Sequence, residues 1–444
     1  MSRRAGQRGT ERRDRDRRAG GAAARRGGPA TVPSSTQMLT FAAREPFSFN
    51  QHNCRPEAGQ EGRAGERYLT SSDEFLQHVI LRNPQVFRIV EEQSSLPCLP
   101  FPAWGETDFR NRRVLFLLPS GALGDNVGTV LFLQAFAEQS GARAIGVFGA
   151  RSTADIYLTA GVATVYTLWI GRAELKRWDI VVDFGQLEGR GNIDIWPVDM
   201  ESQLLAVFGL QPAERYRPQA RALPTDRPLE IGILPLASSP LRTLPVEVCA
   251  DLARRLAPEG QVTVCLNANQ QQGRLYRQAV APLLPAGCRI VDVFPKIGDL
   301  LEAVGAFDYA VFADSGPAHM SKLFGTPGVA VYSSAPGEVL QGRFSNLDRW
   351  TIPFSGPWCT APCGLAKVRQ HRDGRIGCMG SLEAPVSDLP TLPNRPDPRS
   401  VERLFRESVP CIASLRAAPA ALGEHVMADL ARRRAAAGGG TDQR

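Results

Sequence analysis

The sequence predicts an α/β protein made of two doubly wound parallel-sheet domains in series, facing each other across a cleft. Three observations carry that reading. From Arg113 onward, short apolar runs of strand length alternate with helical patterns and short turns. A polar, proline-containing stretch from Gln211 to Arg227 splits the alternation into two series. Each series places a polar turn directly after its first strand, and in open α/β sheets the crevice beyond the strand ends is where ligands bind.

In the first series, VLFLLP (Val114 to Pro119) has the length and composition of a fully buried strand. SGALGDNVG follows directly, then a helix with apolar residues at Val130, Leu131, Leu133, Phe136 and Ala137. AIGVFG, a helix around Thr153 to Ala160, VATVYTL and DIVVDF (Asp179 to Phe184) complete the series. In the glycine-rich turn, Gly121 and Gly124 permit close backbone approach and positive φ. Asp125, at the helix start, has two readings. It is either a capping or dipole-complementing carboxylate, or a general base able to take the proton of a substrate hydroxyl. The turn is not GxGxxG and has no acidic partner about 20 residues on, which argues against a nicotinamide dehydrogenase.

The second series runs IGILPL, the loop SSPLRTLP, a helix over Val246 to Leu256, VTVCLN (Val262 to Asn267), a helix over Gln270 to Leu284, RIVDV, and a helix over Ile297 to Phe307. It leads into VFADSGPAHMSKLFGTPGVAVY, Val311 to Tyr332. There a buried strand ends in Asp314, Ser315, Gly316 and Pro317; a short helix carries His319, and Gly325, Thr326 and Pro327 break it before the next strand. Ser315 suits the cap and Pro317 the first turn, so the first amides point toward the crevice. A carboxylate, a hydroxyl and a histidine at one helix start read as a site for a phosphorylated ligand; the plainer reading is a capped turn with a core histidine.

The chain has 444 residues, 43% hydrophobic and 22% charged, ordinary for a globular protein of two or three domains. Its formal charge of +7 lies entirely within residues 1 to 30, which hold ten arginines against Glu11, Asp14 and Asp16; the remainder balances 42 basic against 42 acidic side chains. A nucleic-acid binder needs a basic face on its folded part, so no nucleic-acid partner is expected. Residues 1 to 45 read as a disordered Arg-rich tail, and 46 to 112 as an extension. Within the extension, Ser71, Ser72 and Asp73 precede a helix over Glu74 to Val86, and a Pro- and aromatic-rich arm spans 94 to 112. Residues 416 to 444 read as a tail with a helix over Val426 to Arg434, then a flexible AAAGGGTDQR. Arg432, Arg433 and Arg434 read as a solvated helix end, with contact to a lipid surface as the alternative. There is no spanning-length apolar segment and no secretory h-region, so a cytoplasmic protein is expected. Nine cysteines, an odd number, with Cys249, Cys265 and Cys288 in helix or strand patterns, suit a reducing compartment.

GALGDNVGTVLFLQAF, LASSPLRTLP and DSGPAHMSKLFGTP together resemble glycosyltransferase family 9, the heptosyltransferases, over roughly Arg113 to Cys378. The resemblance implies a GT-B fold of two Rossmann-like domains, the acceptor side in 113 to 225 and the donor side in 226 to 415. It implies inverting transfer of heptose from an ADP-heptose-like nucleotide-sugar donor, with no metal or other cofactor at the catalytic site. Asp125 matches the family's base. Arg242 falls where the family has a lysine that offsets charge on the leaving diphosphate, and arginine serves as a forked phosphate donor. Asp314, Ser315, Gly316 and His319 match the donor-holding segment. The loop lacks the family's tryptophan, and the strand-end acidic residue that in the family often reads the donor ribose is not evident, with Asn267 or Asn269 standing nearby. The acceptor implied is a hydroxyl of lipopolysaccharide core, a glycolipid, with peripheral contact at the inner membrane. A protein serine and a non-catalytic sugar-nucleotide binder are the other readings.

A further constellation is Cys359, Cys363 and Cys378, with Cys411 beyond. Four thiolates can hold one structural zinc or iron; free reduced thiols are the alternative, and His371 is a substitute ligand or a surface residue. The autotransporter branch of the family, with its iron-holding cysteines, resembles this segment more closely.

Overall fold

The computed structural model describes residues 36–49, 61–91, 96–118, 121–187, 199–211, 219–293, 296–365, 367–389 and 398–438. The first parallel sheet comprises β1 (Arg113–Leu117), β2 (Ala144–Phe148), β3 (Thr164–Tyr166) and β4 (Ile180–Asp183), in the order β4-β1-β2-β3. Every neighbouring pair is parallel. α1 (Leu123–Gln139) connects β1 to β2, and α2 (Ala154–Thr159) connects β2 to β3. Asn126 to Leu133 of α1 is buried without a break. A helix apolar all round is covered on all sides, and α1 is indeed enclosed by its own sheet, by α3 (Met200–Val207) and by the second domain.

The second sheet comprises β5 (Leu229–Leu234), β6 (Gly260–Leu266), β7 (Arg289–Asp292), β8 (Tyr309–Ala313), β9 (Gly328–Tyr332) and β10 (Leu347–Thr351). Their order is β7-β6-β5-β8-β9-β10, all parallel. α4 (Val246–Leu256), α5 (Gln271–Val280), α6 (Ile297–Ala306) and α7 (Gly316–Phe324) supply the crossovers. Strand order reverses between β1 and β4 in the first sheet and between β5 and β8 in the second. Those are the switch points at which doubly wound sheets open a crevice, and the two face one another. This is the GT-B arrangement of two Rossmann-like domains.

One hydrophobic core runs through both domains. Phe116, Phe132, Phe136 and Val182 of the first are continuous with Val304, Phe312, Met320 and Tyr332 of the second. Phe116 meets Phe136 nearly edge-on at 5.2 Å between ring centroids, a geometry worth about 0.5–1.5 kcal/mol beyond area burial.

The amino-terminal region differs from the reading of the sequence. Leu39–Ala43, Arg67–Thr70 and Phe87–Glu91 form a four-stranded antiparallel sheet with Ile170–Gly171 of the first domain. Ordered structure therefore begins before residue 45, inside the segment expected to be tail, because Phe41 enters an aromatic cluster with Phe47, Phe75, Phe87 and Trp169. Ser72 caps a helix as expected, its hydroxyl accepting from the Phe75 amide at 3.2 Å. That helix spans only Asp73–Phe75 and continues as a π-turn over Leu76–Ile80. Pro84 bars further helix, and Phe87 joins the sheet.

At the carboxyl end, α8 (Pro398–Glu407), α9 (Pro410–Ala417) and α10 (Pro419–Gly438) fold back on the second domain. The expected tail is thus a structural helix, longer than Val426 to Arg434 and running into the stretch read as flexible. Leu422, Val426 and Leu430 form its buried stripe. Arg432 and Arg433 pair with Asp429, and Arg434 with Glu259; Arg433 is largely buried, while the Arg432 and Arg434 side chains stay exposed. No helix among the described residues is long and apolar enough to cross a membrane. Cys54 and most of the Arg-rich tail lie outside the described residues.

Candidate active site

The amino-terminal ends of α1 and α7 meet across the domain boundary, and glycine makes the meeting possible. A Cβ on Gly316 would stand 2.7 Å from Cβ of Leu123, and one on Gly124 would stand 3.0 Å from Cδ2 of His319. Neither Gly121 nor Gly124 adopts positive φ, and nothing lies within 4 Å of a Cβ built on Gly121. Close approach explains Gly124 alone; the positive φ anticipated for this turn does not occur. Gly325 ends α7 in the left-handed region, at φ 64°.

The two helix ends open into one cavity of about 800 Å³. Gly121, Gly124 and Asp125 line it from the first domain; Arg242, Ser315, Gly316 and His319 line it from the second. Asp125 is exposed and sits in the first turn of α1. Ala122 occupies the cap position, so Asp125 is not the cap. Asn126 beside it is structural: its side chain donates to Ala122 O at 2.7 Å and accepts from the Tyr157 hydroxyl.

Ser315 holds the cap position of α7 without capping by its side chain; its hydroxyl donates back to Ala313 O at 3.2 Å. Of the first-turn amides, that leaves the Gly316 N–H for a ligand oxygen, since Pro317 has no N–H and the Ala318 amide donates to Ser315 O at 3.0 Å. His319 is half-buried against Gly124. Burial, and then the charges of Lys322 and Arg242, hold its pKa well below the ordinary value, which keeps the imidazole neutral.

Asp314 departs from its expected place. It does not line the cavity but lies behind it, 1% exposed, with Nη1 of Arg242 at 3.6 Å from its carboxylate. Burial raises its pKa and Arg242 draws it down. Both of its oxygens, and Nε of Arg242, are buried without a hydrogen bond. Asp314 thus orients Arg242, which also donates to the Ser238 hydroxyl at 3.0 Å.

The cavity includes residues that the sequence did not single out. Ser238 lies within the LASSPLRTLP stretch itself; Gln270, Glu201 and Lys367 carry no local signal. Asn267 lines the wall and its Oδ1 accepts from the Asn269 amide at 3.1 Å. Glu201 forms a nearly fully buried ion pair with Lys322 across the domain boundary at 3.3 Å, and Lys322 also donates to Leu340 O at 2.7 Å. Asp155 of α2 accepts from the Gly298 amide at the start of α6 at 3.1 Å, and Arg343 donates to the Ser202 hydroxyl at 2.7 Å. These bonds, with the α1 and α7 contact, fix the cleft.

Cys359, Cys363, Cys378 and Cys411 come together around a separate cavity of about 10 Å³, whose wall includes Leu241 and Ser334. Ser334 faces both cavities. Burial raises the Cys359 and Cys363 pKa values and lifts Cys411 to about 12, with the neighbouring thiols adding to it; they are neutral thiols as they stand. Among the described residues, no group of three or more His, Cys, Asp and Glu side chains is arranged to hold a metal ion in this conformation. His371 is not part of this cavity and pairs with Asp373 at 3.0 Å. Cys249 and Cys265 are buried free thiols with pKa values of about 12.

Residues 197–342 match the model of a family described as Glycosyltransferase family 9 (heptosyltransferase). No curated protein matches the chain. Solved structures similar to it include a family 9 glycosyl transferase from Veillonella parvula DSM 2008, at 15% identity over 56% of this chain and 90% of that one, TM-score 0.46. E. coli ADP-heptose lps heptosyltransferase II is similar at 18% identity, 53% and 89% coverage and TM-score 0.41. The dodecameric iron-containing heptosyltransferase TibC of enterotoxigenic E. coli, in complex with ADP-D-beta-D-heptose, is similar at 12% identity, 90% and 93% coverage and TM-score 0.46.

Proposed function

We propose that this chain, a family 9-like glycosyltransferase, moves a sugar of the heptose class from a nucleotide-diphosphate donor to an acceptor hydroxyl with inversion. The reading rests on one observation above all: two helix starts from different domains meet at one cavity, one bringing Asp125 and the other the Ser315 and Gly316 turn with Arg242. In the proposed step, the Asp125 carboxylate takes the acceptor proton while the acceptor oxygen bonds to the anomeric carbon. The bond from that carbon to the phosphate oxygen breaks, and its electron pair leaves on the nucleoside diphosphate. The Gly316 amide at the start of α7 and Arg242 offset the charge developing there. Neutral His319 holds the sugar or phosphate by a hydrogen bond rather than as a cation.

The acceptor side favours a partner without clustered phosphates. Among the described cavity-lining residues of the first domain none is basic and Asp125 is an exposed carboxylate, while Glu201 and Asp199 are paired with Lys322 and Arg343. On the described part of that wall a polyanionic lipopolysaccharide core meets no complementary charge; a polypeptide serine or another uncharged hydroxyl does not need any. We therefore favour a protein acceptor over a glycolipid.

We further propose that Cys359, Cys363, Cys378 and Cys411 hold a structural zinc or iron. Four sulfurs around a cavity of one-atom size suit such an ion in donor type and number, with thiol deprotonation and a small closure on binding. A bound ion would tie the segment together and take no part in transfer. Metal analysis of the purified chain should find about one zinc or iron per chain, lost on replacing Cys378 and Cys411 with Ser; a metal-free, fully folded protein would refute it.

The main test compares turnover of a nucleotide-sugar panel by wild type and Asp125→Asn. Turnover should fall by a factor on the order of 10² or more with nucleotide affinity retained. A wild type that binds nucleotide sugar yet never turns it over, with any acceptor, would make the chain a binder instead.

A further inference from the structure

The chemistry proposed above needs cationic charge at the diphosphate, and the cavity is short of it. Arg242 and Lys367 are the Lys and Arg side chains among its described lining residues. Arg242 already has the buried Asp314 carboxylate at 3.6 Å, so much of its charge is met before any ligand arrives. Lys367 is exposed and has no salt-bridge partner among the described residues.

Lys367 is brought to the cavity by the cysteine-bearing segment, and its position is built rather than incidental. Leu365 on one side of it and Val368 and Arg369 on the other are buried. Arg369–Gln370 pairs with Ile376–Gly377, and the Gly364 amide donates to Ser334 O at 2.6 Å. Ser334 lies on the wall common to the donor cavity and the cysteine cavity. The backbone is thus pinned on both sides while the Lys367 side chain is exposed at the cavity.

We propose that Lys367 is a donor-binding residue, the uncompensated cation that meets the diphosphate of the nucleotide sugar, presented by the cysteine segment. This rests on the donor-site reading of the cavity. An ammonium on a flexible stem suits a ligand whose charge moves from ester to free diphosphate during reaction, whereas the guanidinium of Arg242 is fixed by Asp314 and Ser238.

The test is calorimetric titration of the full chain with ADP, UDP, GDP and CDP, and with the nucleoside of whichever binds tightest. Lys367→Ala should weaken the diphosphate about tenfold or more, leave the nucleoside within about twofold, and flatten the salt dependence of diphosphate binding. Lys367→Arg should restore most of the affinity. Because the side chain is exposed, the melting temperature should hold in both variants, which removes misfolding as an explanation. If wild type binds a diphosphate and Lys367→Ala binds it equally, the role of Lys367 is overturned while the donor site stands. If wild type binds no nucleoside diphosphate but Arg242 and Asp314 remain paired as described, the donor-site reading itself falls, and the role of Lys367 with it.

Discussion

His319 shows how one side chain records its surroundings. Its pKa is held well below the ordinary 6.5 by burial and by the charges of Lys322 and Arg242. As pH falls below that ordinary value, the unfolded chain binds a proton at this residue that the folded chain refuses. The folded state therefore loses stability as pH drops, by at most about 1.4 kcal/mol per pH unit for one proton. Asp314 acts in the opposite sense: its pKa is raised, so just above its ordinary 3.8 the folded state holds the extra proton and is less stable as pH rises. Urea midpoints at pH 7 and pH 5.5 should fall more for wild type than for His319→Gln; equal slopes would show that another group carries the acid sensitivity. His319 could be placed at the cavity from the sequence because it sits beside turn residues in one short stretch, whereas Arg242 was singled out only through the family resemblance; both line the cavity. The pairing of Lys322 with Glu201 was not legible, since the two are separated by 121 positions and only folding brings them together. The rearward place of Asp314 was equally hidden: a carboxylate at a strand end reads the same whether it faces ligand or a neighbouring guanidinium.

Between elements, the Lys322 and Glu201 pair is where α7 and α3 lock. Both partners are nearly fully buried, so removing one leaves the other as an uncompensated charge. Lys322→Met should cost about 3–5 kcal/mol of stability, and adding Glu201→Leu should recover much of the loss, because a hydrophobic pair of similar volume often replaces a buried ion pair at little cost. A thermodynamic cycle by denaturant titration decides it; purely additive losses would mean that each residue acts through separate packing. The strands from β1 to β9 were readable because each is a local run of strand length with turn residues at its ends, whereas β10, with the polar sequence LDRWT, and α3 were not read from the sequence. The amino-terminal sheet was not readable either, for it joins short strands to residues 170 and 171, a pairing no local period announces. α10 was underestimated for a related reason: its alanine- and arginine-rich end looks unstructured until Leu422, Val426 and Leu430 are seen seated on the second domain.

At the level of the whole molecule, one apolar cluster spans both domains where they meet, rather than a wet hinge. Calorimetry should show one cooperative transition for β1 through α10, since neither domain can shed the other without exposing Phe132, Met320 and their neighbours to water. Two resolved transitions would mean that the seam contributes little. The doubly wound order of both sheets, and with it the position of the crevice, followed from alternating strand and helix patterns. The charge of the crevice walls depended on which loops close over it, and so became visible only in three dimensions.

The contact of Gly124 with His319 carries a lesson for anyone wishing to recombine this chain with a relative. In a bilobed transferase joined by a loose linker, the donor lobe of a relative could be exchanged at the interdomain stretch to import a new nucleotide preference. Here a cut near residue 225 would divide a fitted joint, with a ring edge on one lobe moulded to a missing side chain on the other. Chimeras should succeed only when the starts of α1 and α7 travel together from one parent, so that the proposed base and the proposed donor site are inherited as a unit.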